Sequence, residues 1–420
     1  MKVFKFGGAS VNSVERIKNV ATILKGYKDE KLVLVISAMG KTTNALEKVV
    51  DAFYSGNNQM ALDLFHSIKQ SHLNMAKFLL VTTYNKTLND LVNFFTEIEW
   101  LLHDKPVKSY DYYYDQIVCI GEMLSSNIVS AYLNEAGIGN TWVDVRDIIR
   151  TDDNFRDANV NWEVTNSNLQ TCSICTSGEC KIFLTQGFVG STDENESTTL
   201  GREGSDYTAA IFANLLDAEN LTIWKDVTGV MNADPKEFED ATLIDKLSFT
   251  EVIEMAYYGA QVIHPKTIKP LQNKKIPLVV KSFIDPTLPG TEISSKHVKD
   301  LPPIKVVKQS QVLIHLRSQD FSFVGERLIS RLYKIFEDIR IRPNLIQTGA
   351  ISLQVCLDDR TEKIDQLAIA AAEYFDVQIE KGLSLFTIRH YTDEAMTEMI
   401  EGKDIVLTQK TKETVQVVYR

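Results

Sequence analysis

The chain has 420 residues, too many for one compact core, so two or three domains are expected. Its 44% hydrophobic and 24% charged residues are ordinary for a globular protein and speak against disorder. The formal charge of −11 argues against a general nucleic-acid or acidic-membrane surface, though not against a local cationic pocket.

The start, Met1-Lys2-Val3-Phe4-Lys5-Phe6-Gly7-Gly8, turns polar too early for a signal peptide, and no apolar run approaches the roughly 20 residues that span a bilayer. Residues 2–6 and 31–37 read as short buried strands. Between them, Ser13 to Lys25 reads as an amphipathic helix with Val14, Ile17, Val20, Ala21 and Leu24 on one face. Strand, helix, strand begins a βαβ unit and predicts a mainly parallel sheet. Residues 43–105 read as largely helical. The chain holds five cysteines, an odd number that fits a reducing compartment, so the cytoplasm is expected. Cys172, Cys175 and Cys180 lie close together but lack a nearby fourth zinc ligand, and read as free thiols.

The α/β pattern resumes with a strand at 181–185, a helix at 206–216 and a strand at 221–227. Ser248 and Glu251 form a capping box opening another helix, and 276–283 supplies a further strand. The Pro- and Gly-bearing stretch 285–303 is the most linker-like segment, which puts a boundary near 300. Beyond it, strand 312–316, helix 326–338, strands 344–347 and 351–357, helix 361–374 and strand 377–380 give a βαββαβ, ferredoxin-like plan. A second round, strand 383–390, helix 392–400 and strands 405–408 and 414–419, stops before its last helix and strand. It reads as a module either truncated or completed by another segment.

Several turns carry chemistry. Lys5-Phe6-Gly7-Gly8-Ala9-Ser10 closes the first strand; its glycines either make a tight turn or let backbone N–H groups approach an oxyanion beside Lys5. It is not a Walker A loop. Ser37-Ala38-Met39-Gly40-Lys41-Thr42-Thr43-Asn44 ends the next strand, where hydroxyls could hold a carboxylate or cap the following helix. Glu122 sits among apolar residues at a helix start, steadied by the helix dipole or placed to meet an ammonium group. Gly201-Arg202-Glu203-Gly204-Ser205-Asp206-Tyr207-Thr208 is the densest signal: Arg202 offers a carboxylate fork, and Asp206 could organise Lys5 or Mg²⁺. Trp224-Lys225-Asp226 through Met231 to Lys236 looks like a nucleotide edge or a plain surface loop. In Gly259-Ala-Gln261-Val-Ile-His264-Pro265-Lys266, Pro265 opens a helix, and His264 reads as structural rather than as a base.

Taken together, KFGGAS, SAMGKTTN, GEMLSS, GREGSDYTA, WKDVTGV and GAQVIHP, in that order over nearly the whole chain, resemble the aspartate kinases of the amino-acid kinase family. The resemblance implies an α/β fold in which helices sandwich a mainly parallel sheet, followed by ferredoxin-like ACT modules. It implies a catalytic domain over 1–300, a first ACT-like module over 301–382 and a second, shortened one over 383–420. It also implies transfer of the γ-phosphate of Mg·ATP to the β-carboxylate of L-aspartate, the first step towards lysine, threonine and methionine, with lysine or threonine as effector and a homodimer as the assembly. Lys5 and Asp206 would be catalytic. Ser37, Thr43, Glu122, Arg202 and Ser205 would bind aspartate. Lys5, Gly7, Gly8, Lys225, Asp226, Met231, Lys236 and Gln261 would face the nucleotide. Ala9, Lys225, Met231, Lys236 and Gln261 depart from residues frequent in the family. N-acetylglutamate or glutamate kinase is the neighbouring alternative, and a non-catalytic amino-acid sensor the more distant one.

Overall fold

A computed structural model describes residues 1–176 and 181–420. The chain divides into two compact units: Met1–Val230 with Leu243–Ile253 and Val262–Val298, and Met231–Thr242 with Glu254–Gln261 and Lys299–Arg420.

The strands of the first unit are β1 (Lys2–Phe6), β2 (Leu32–Ile36), β3 (Thr141–Trp142), β4 (Ile182–Gln186), β5 (Val189–Ser191), β6 (Ser197–Thr199), β7 (Leu221–Lys225), β8 (Lys246–Ser248), β9 (Leu278–Ser282) and β10 (Thr291–Ser294). All but the β5–β6 hairpin form one sheet in the order β3-β4-β2-β1-β7-β9-β10-β8. Every pairing in it is parallel except β9 with β10. β2 is apolar and buried on both faces, and β1 is buried from Val3 to Phe6 with Lys5 as its one buried charge, the expected pattern for an interior parallel sheet that carries a site residue. Ser13 caps the predicted first helix, Val14–Lys25, by accepting the N–H of Arg16, and the region read as helical becomes three helices, Thr42–Tyr54, Asn58–Leu79 and Tyr84–His103. Their apolar stripes join one large core with the sheet, in which Phe65 and Phe95 meet edge to face. No helix among the described residues is long and apolar enough to cross a membrane.

The second unit holds β11 (Ile304–Ser318), β12 (Leu345–Thr348), β13 (Ser352–Asp358), β14 (Phe375–Arg389), β15 (Ile405–Lys410) and β16 (Thr414–Tyr419). They form one antiparallel sheet in the order β12-β13-β11-β14-β16-β15. Two of these strands are longer than the sequence pattern indicates. The runs read as separate strands at 377–380 and 383–390 are one 15-residue strand, its pairing with β11 interrupted by register shifts on either side of Gln311. The other 15-residue strand, β11, begins at Ile304, and Ile304–Lys308 pairs with Leu385–Arg389. That half-strand supplies the strand missing from the end of the second ferredoxin-like round.

Candidate active site

Three strand ends of the first unit converge. β1 runs into Gly7-Gly8, β2 into Ser37-Ala38 and β4 into Gly187-Phe188, all at the carboxyl ends of neighbouring parallel strands, where open α/β sheets gather ligands. The turns interlock. Ser37 N–H donates to Phe6 O at 3.2 Å and Gly40 N–H to Gly8 O at 3.0 Å. A Cβ on Gly8 would sit 2.5 Å from Ala38 O, so only glycine fits there. Gly40 takes φ +56 to turn the chain into the helix Thr42–Tyr54. Neither threonine caps that helix from outside: Lys41 holds the N-cap position, and Thr42 Oγ1 donates back to Met39 O at 2.6 Å.

Above these turns lies a cavity of about 460 Å³, within the range of small-molecule sites. Lys5, Gly8, Ser37, Thr43, Glu122, Arg202, Ser205 and Asp206 all line it. These positions span two hundred residues of sequence, and the fold brings them to one place. Of the other residues singled out in the sequence, Gly7 packs beside the Lys5 ammonium, its missing Cβ 3.5 Å from Nζ. Lys225 and Asp226 close β7 outside the cavity lining, and Lys225 Nζ donates to Val262 O at 2.8 Å. Met231, Lys236 and Gln261 belong to the second unit. Trp224 is core rather than site, stacked on Phe6 at 5.8 Å between ring centroids. Cys172 and Cys175 are free thiols, and Cys180 lies outside the described residues.

The charges are arranged in pairs. Lys5 Nζ lies 2.6 Å from Asp206 Oδ1, both largely buried. Asp206 and Ser205 occupy the first turn of the helix Gly204–Leu215, whose positive dipole end favours an anion, while the Gly204 and Asp206 N–H groups donate to Gly201 O and Glu203 O. Glu122, in the first turn of the helix Ile120–Glu135, is 3% exposed; Oε1 accepts the Ala38 N–H at 3.3 Å and Oε2 has no hydrogen-bond partner among the described residues. Burial, only partly offset by the Ala38 N–H and by Lys5, raises its pKa to about 8. An orphaned buried carboxylate oxygen suits a cation arriving with a ligand.

His264, read as structural, caps the helix Pro265–Lys274 through Nδ1, while its own N–H donates to Glu203 Oε2 at 2.8 Å. Glu203 holds the left-handed conformation at φ +54, so this contact fixes the loop that carries Arg202. Residues that the sequence motifs do not flag also belong to the site or its frame: Tyr114, Arg156 and Phe188 in the cavity wall and Asp115 behind it, where Lys266, at the end of the GAQVIHP stretch and given no role by the sequence, also braces the loops. Tyr114 and Asp115 sit in an aromatic helix, Tyr110–Val118, that reads as core, and Arg156 stands in a loop without flanking glycine.

For Mg²⁺, no group of three metal-ligating side chains exists among the described residues. Mg²⁺ in phosphotransfer sites needs only one or two carboxylates beside the substrate phosphates, and Asp206 at the cavity floor meets that requirement.

The sequence pattern of the amino acid kinase family matches residues 1–282. The chain belongs to the amino acid kinase family. Within the family it stands with the aspartokinases. Aspartokinase 3, chloroplastic, of Arabidopsis thaliana is 32% identical over 417 residues, 96% of this chain and 73% of its own length. Aspartokinase 2, chloroplastic, of the same plant is 34% identical over 366 residues, 85% of this chain, which spans just under two thirds (66%) of that relative. The crystal structure of Escherichia coli aspartokinase III in complex with aspartate and ADP matches with a TM-score of 0.81 at 26% identity, over 100% of this chain and 96% of that one.

A second cavity, of about 770 Å³, lies within the second unit and is lined by Ser318, Asp320, Arg327, Arg331, Glu373 and Tyr374, among others. The Ser322 and Ser318 hydroxyls lower the Asp320 pKa to about 2.

Proposed function

We infer that the chain is an aspartate kinase, transferring the γ-phosphate of ATP to the β-carboxylate of L-aspartate. One observation carries this: Lys5, Glu122, Arg202 and Asp206 line a single cavity at the carboxyl edge of a parallel sheet. An ionised carboxylate is already a nucleophile at neutral pH, so no general base is required. One carboxylate oxygen forms the new O–P bond while the bond from the γ-phosphorus to the bridging oxygen breaks, and ADP leaves. The protein's part is positioning and charge neutralisation.

Arg202 takes the substrate's α-carboxylate, Glu122 its α-ammonium, and Ser37, Thr43 and Ser205 offer hydroxyls around the small dicarboxylate. Lys5, with the backbone of Gly7 and Gly8, holds the transferring phosphoryl group, and Asp206 keeps the Lys5 ammonium aimed at it. Mg²⁺, when bound with the nucleotide beside Asp206, would neutralise phosphoryl oxygens. Lys225, Asp226, Met231, Lys236 and Gln261 are proposed for the nucleotide's outer edge.

The domain reading is a catalytic part over 1–300 and two ACT-like modules over 301–382 and 383–420, the second completed by the half-strand Ile304–Lys308 from ahead of the first. The cavity at Asp320, Arg327 and Arg331 is the proposed effector site, since it offers both charges that an amino-acid zwitterion needs, with lysine or threonine as ligand. A cytoplasmic homodimer is the proposed working form.

The test is ADP release with aspartate, glutamate and N-acetylglutamate in parallel, with hydroxylamine trapping of the acyl phosphate. Aspartate is expected to dominate. Preference for N-acetylglutamate would move the chain to another carboxylate kinase, and absence of any trapped acyl phosphate would leave a sensor.

A further inference from the structure

We propose that Arg156 is a second carboxylate-binding residue of this cavity and sets its preference for a doubly acidic amino acid; the assignment deepens the aspartate reading and rests on it. Arg156 lines the cavity together with Arg202. The charges present leave it a task. Asp206 is engaged by Lys5, and Glu203 Oε2 by the His264 N–H. Glu203 is turned to the loop backbone, and Arg156 pairs with the exposed Asp111, a contact that solvent screens. Among the described residues of the lining, Glu122, Arg202 and Arg156 are thus the ionic handles offered to a ligand, one carboxyl and two cations. An acidic amino acid presents the complement, one ammonium and two carboxylates.

The surrounding structure holds Arg156 in place from three sides. Its backbone takes φ +71, a conformation that a non-glycine residue keeps only when its neighbours enforce it. Asp115, fully buried, enforces it by accepting the Arg156 N–H at 3.0 Å. The same carboxylate accepts the Thr199 N–H at 2.8 Å and the Thr199 hydroxyl at 2.6 Å, three residues before Arg202. One buried anion thus fastens the roots of both arginine loops. Lys266 ties the same loops again, donating to Asp157 Oδ1 at 2.6 Å and to Leu200 O at 2.9 Å.

The guanidinium itself lies over the Tyr114 ring, 4.5 Å from its centroid, and Nη1 donates to the exposed Asp111 at 3.1 Å. The Tyr114 hydroxyl donates to Glu47 Oε1 at 2.8 Å, one helical turn after Thr43. This shelf puts the cation on the Thr43 side of the cavity, among the groups assigned to aspartate.

Arg156→Gly is the decisive variant, because glycine accepts the left-handed backbone without strain and the fold is kept. In the full chain, aspartate affinity by calorimetry and aspartate KM are both expected to weaken about tenfold or more, the loss of a charge-assisted contact. The ATP KM should stay within about twofold and the thermal midpoint should not fall, with Arg156→Lys intermediate. Unchanged aspartate binding in Arg156→Gly would overturn the assignment, as would equal weakening of aspartate and ATP. If the unaltered chain binds aspartate without phosphorylating it and Arg156→Gly binds it weakly, the assignment stands while the kinase reading falls. If the unaltered chain binds no aspartate, both fall.

Discussion

At the scale of single residues, Lys5 and Glu122 make the sharpest claims. Lys5 is held in the cavity floor by Asp206 at 2.6 Å, where it would meet the charge that develops on the transferring phosphoryl group. Removing one preorganised charge stabiliser costs about 10²–10³ in turnover. Lys5→Ala is therefore expected to lower kcat by that factor, measured by coupled ADP release; wild-type turnover would remove Lys5 from the chemistry. For Glu122, burial lifts the pKa from 4.5 to about 8, so the empty cavity holds a proton that the unfolded chain releases. Stability from this group is fully present below about pH 4.5 and is lost as pH rises through 8. Glu122→Gln carries no such proton. Its thermal midpoint should gain on the wild type from pH 5 to 9, while its aspartate KM rises. In the wild type the same ionisation should make aspartate bind better as pH climbs towards 8, and the Gln variant should flatten that profile. A parallel pH dependence in both proteins would refute the pairing with the substrate ammonium.

Elements explain why these residues meet. Parallel pairing of β2 with β1 on one side and β4 on the other lays three carboxyl-end turns side by side, and their contact depends on atoms that are absent. Gly8 is the clearest case, because a Cβ there would press on Ala38 O at 2.5 Å, with Gly40 O at 3.1 Å and Gly40 N at 3.2 Å, all of it backbone. No side chain can rotate away. Gly8→Ala is expected to cost roughly 1–3 kcal/mol of unfolding free energy through overpacking, seen as a shift in urea midpoint. It should depress turnover as well, since the phosphate-side turn must move. The helix Pro265–Lys274 shows a different economy: Lys266 in its first turn reaches across to Leu200 O and Asp157, while the backbone N–H of its N-cap residue, His264, donates to Glu203. The GAQVIHP motif thus acts here as a brace for the Arg202 loop.

For the whole molecule, the division of the chain matters more than its order. The second unit is not simply the C-terminal third, because it includes Met231–Thr242 and Glu254–Gln261. Asn232 O accepts the Lys305 N–H at 2.7 Å, Asp240 pairs with Lys305 Nζ at 2.9 Å, Phe238 packs against the cluster around Phe386 and Val417, and Glu254 meets Arg389 at 3.2 Å. A chain cut after Val298 would keep these inserted segments and lose the sheet they pack on. Such a fragment is expected to aggregate, with an exposed Phe238 and stranded charges, whereas the full chain stays soluble; size-exclusion chromatography distinguishes the two outcomes. A monodisperse, folded fragment would show that the inserted segments need no partner.

Local chemistry made part of this legible before any coordinates. The runs read as strands at 2–6 and 31–37, the second forming over Leu32–Ile36, the Ser13 cap and the glycines flanking Lys5 and Arg202 report their roles through composition and spacing, because strand burial, capping and close backbone approach each demand particular residue types. The half-strand Ile304–Lys308 stayed hidden because Lys305 and Lys308 interrupt its apolar pattern, and only the folded unit reveals Asp240 and Asn344 as their partners. Arg156 and Asp115, and the bracing role of Lys266, were silent for a related reason: each acts through a residue about 40 or more positions away, and a single sequence carries no signal of such pairings. Sequence by itself determined which elements form and which turns could bear charge. Tertiary structure decided which of those charges face one another, since that depends on the strand order, a long-range choice that no local propensity encodes.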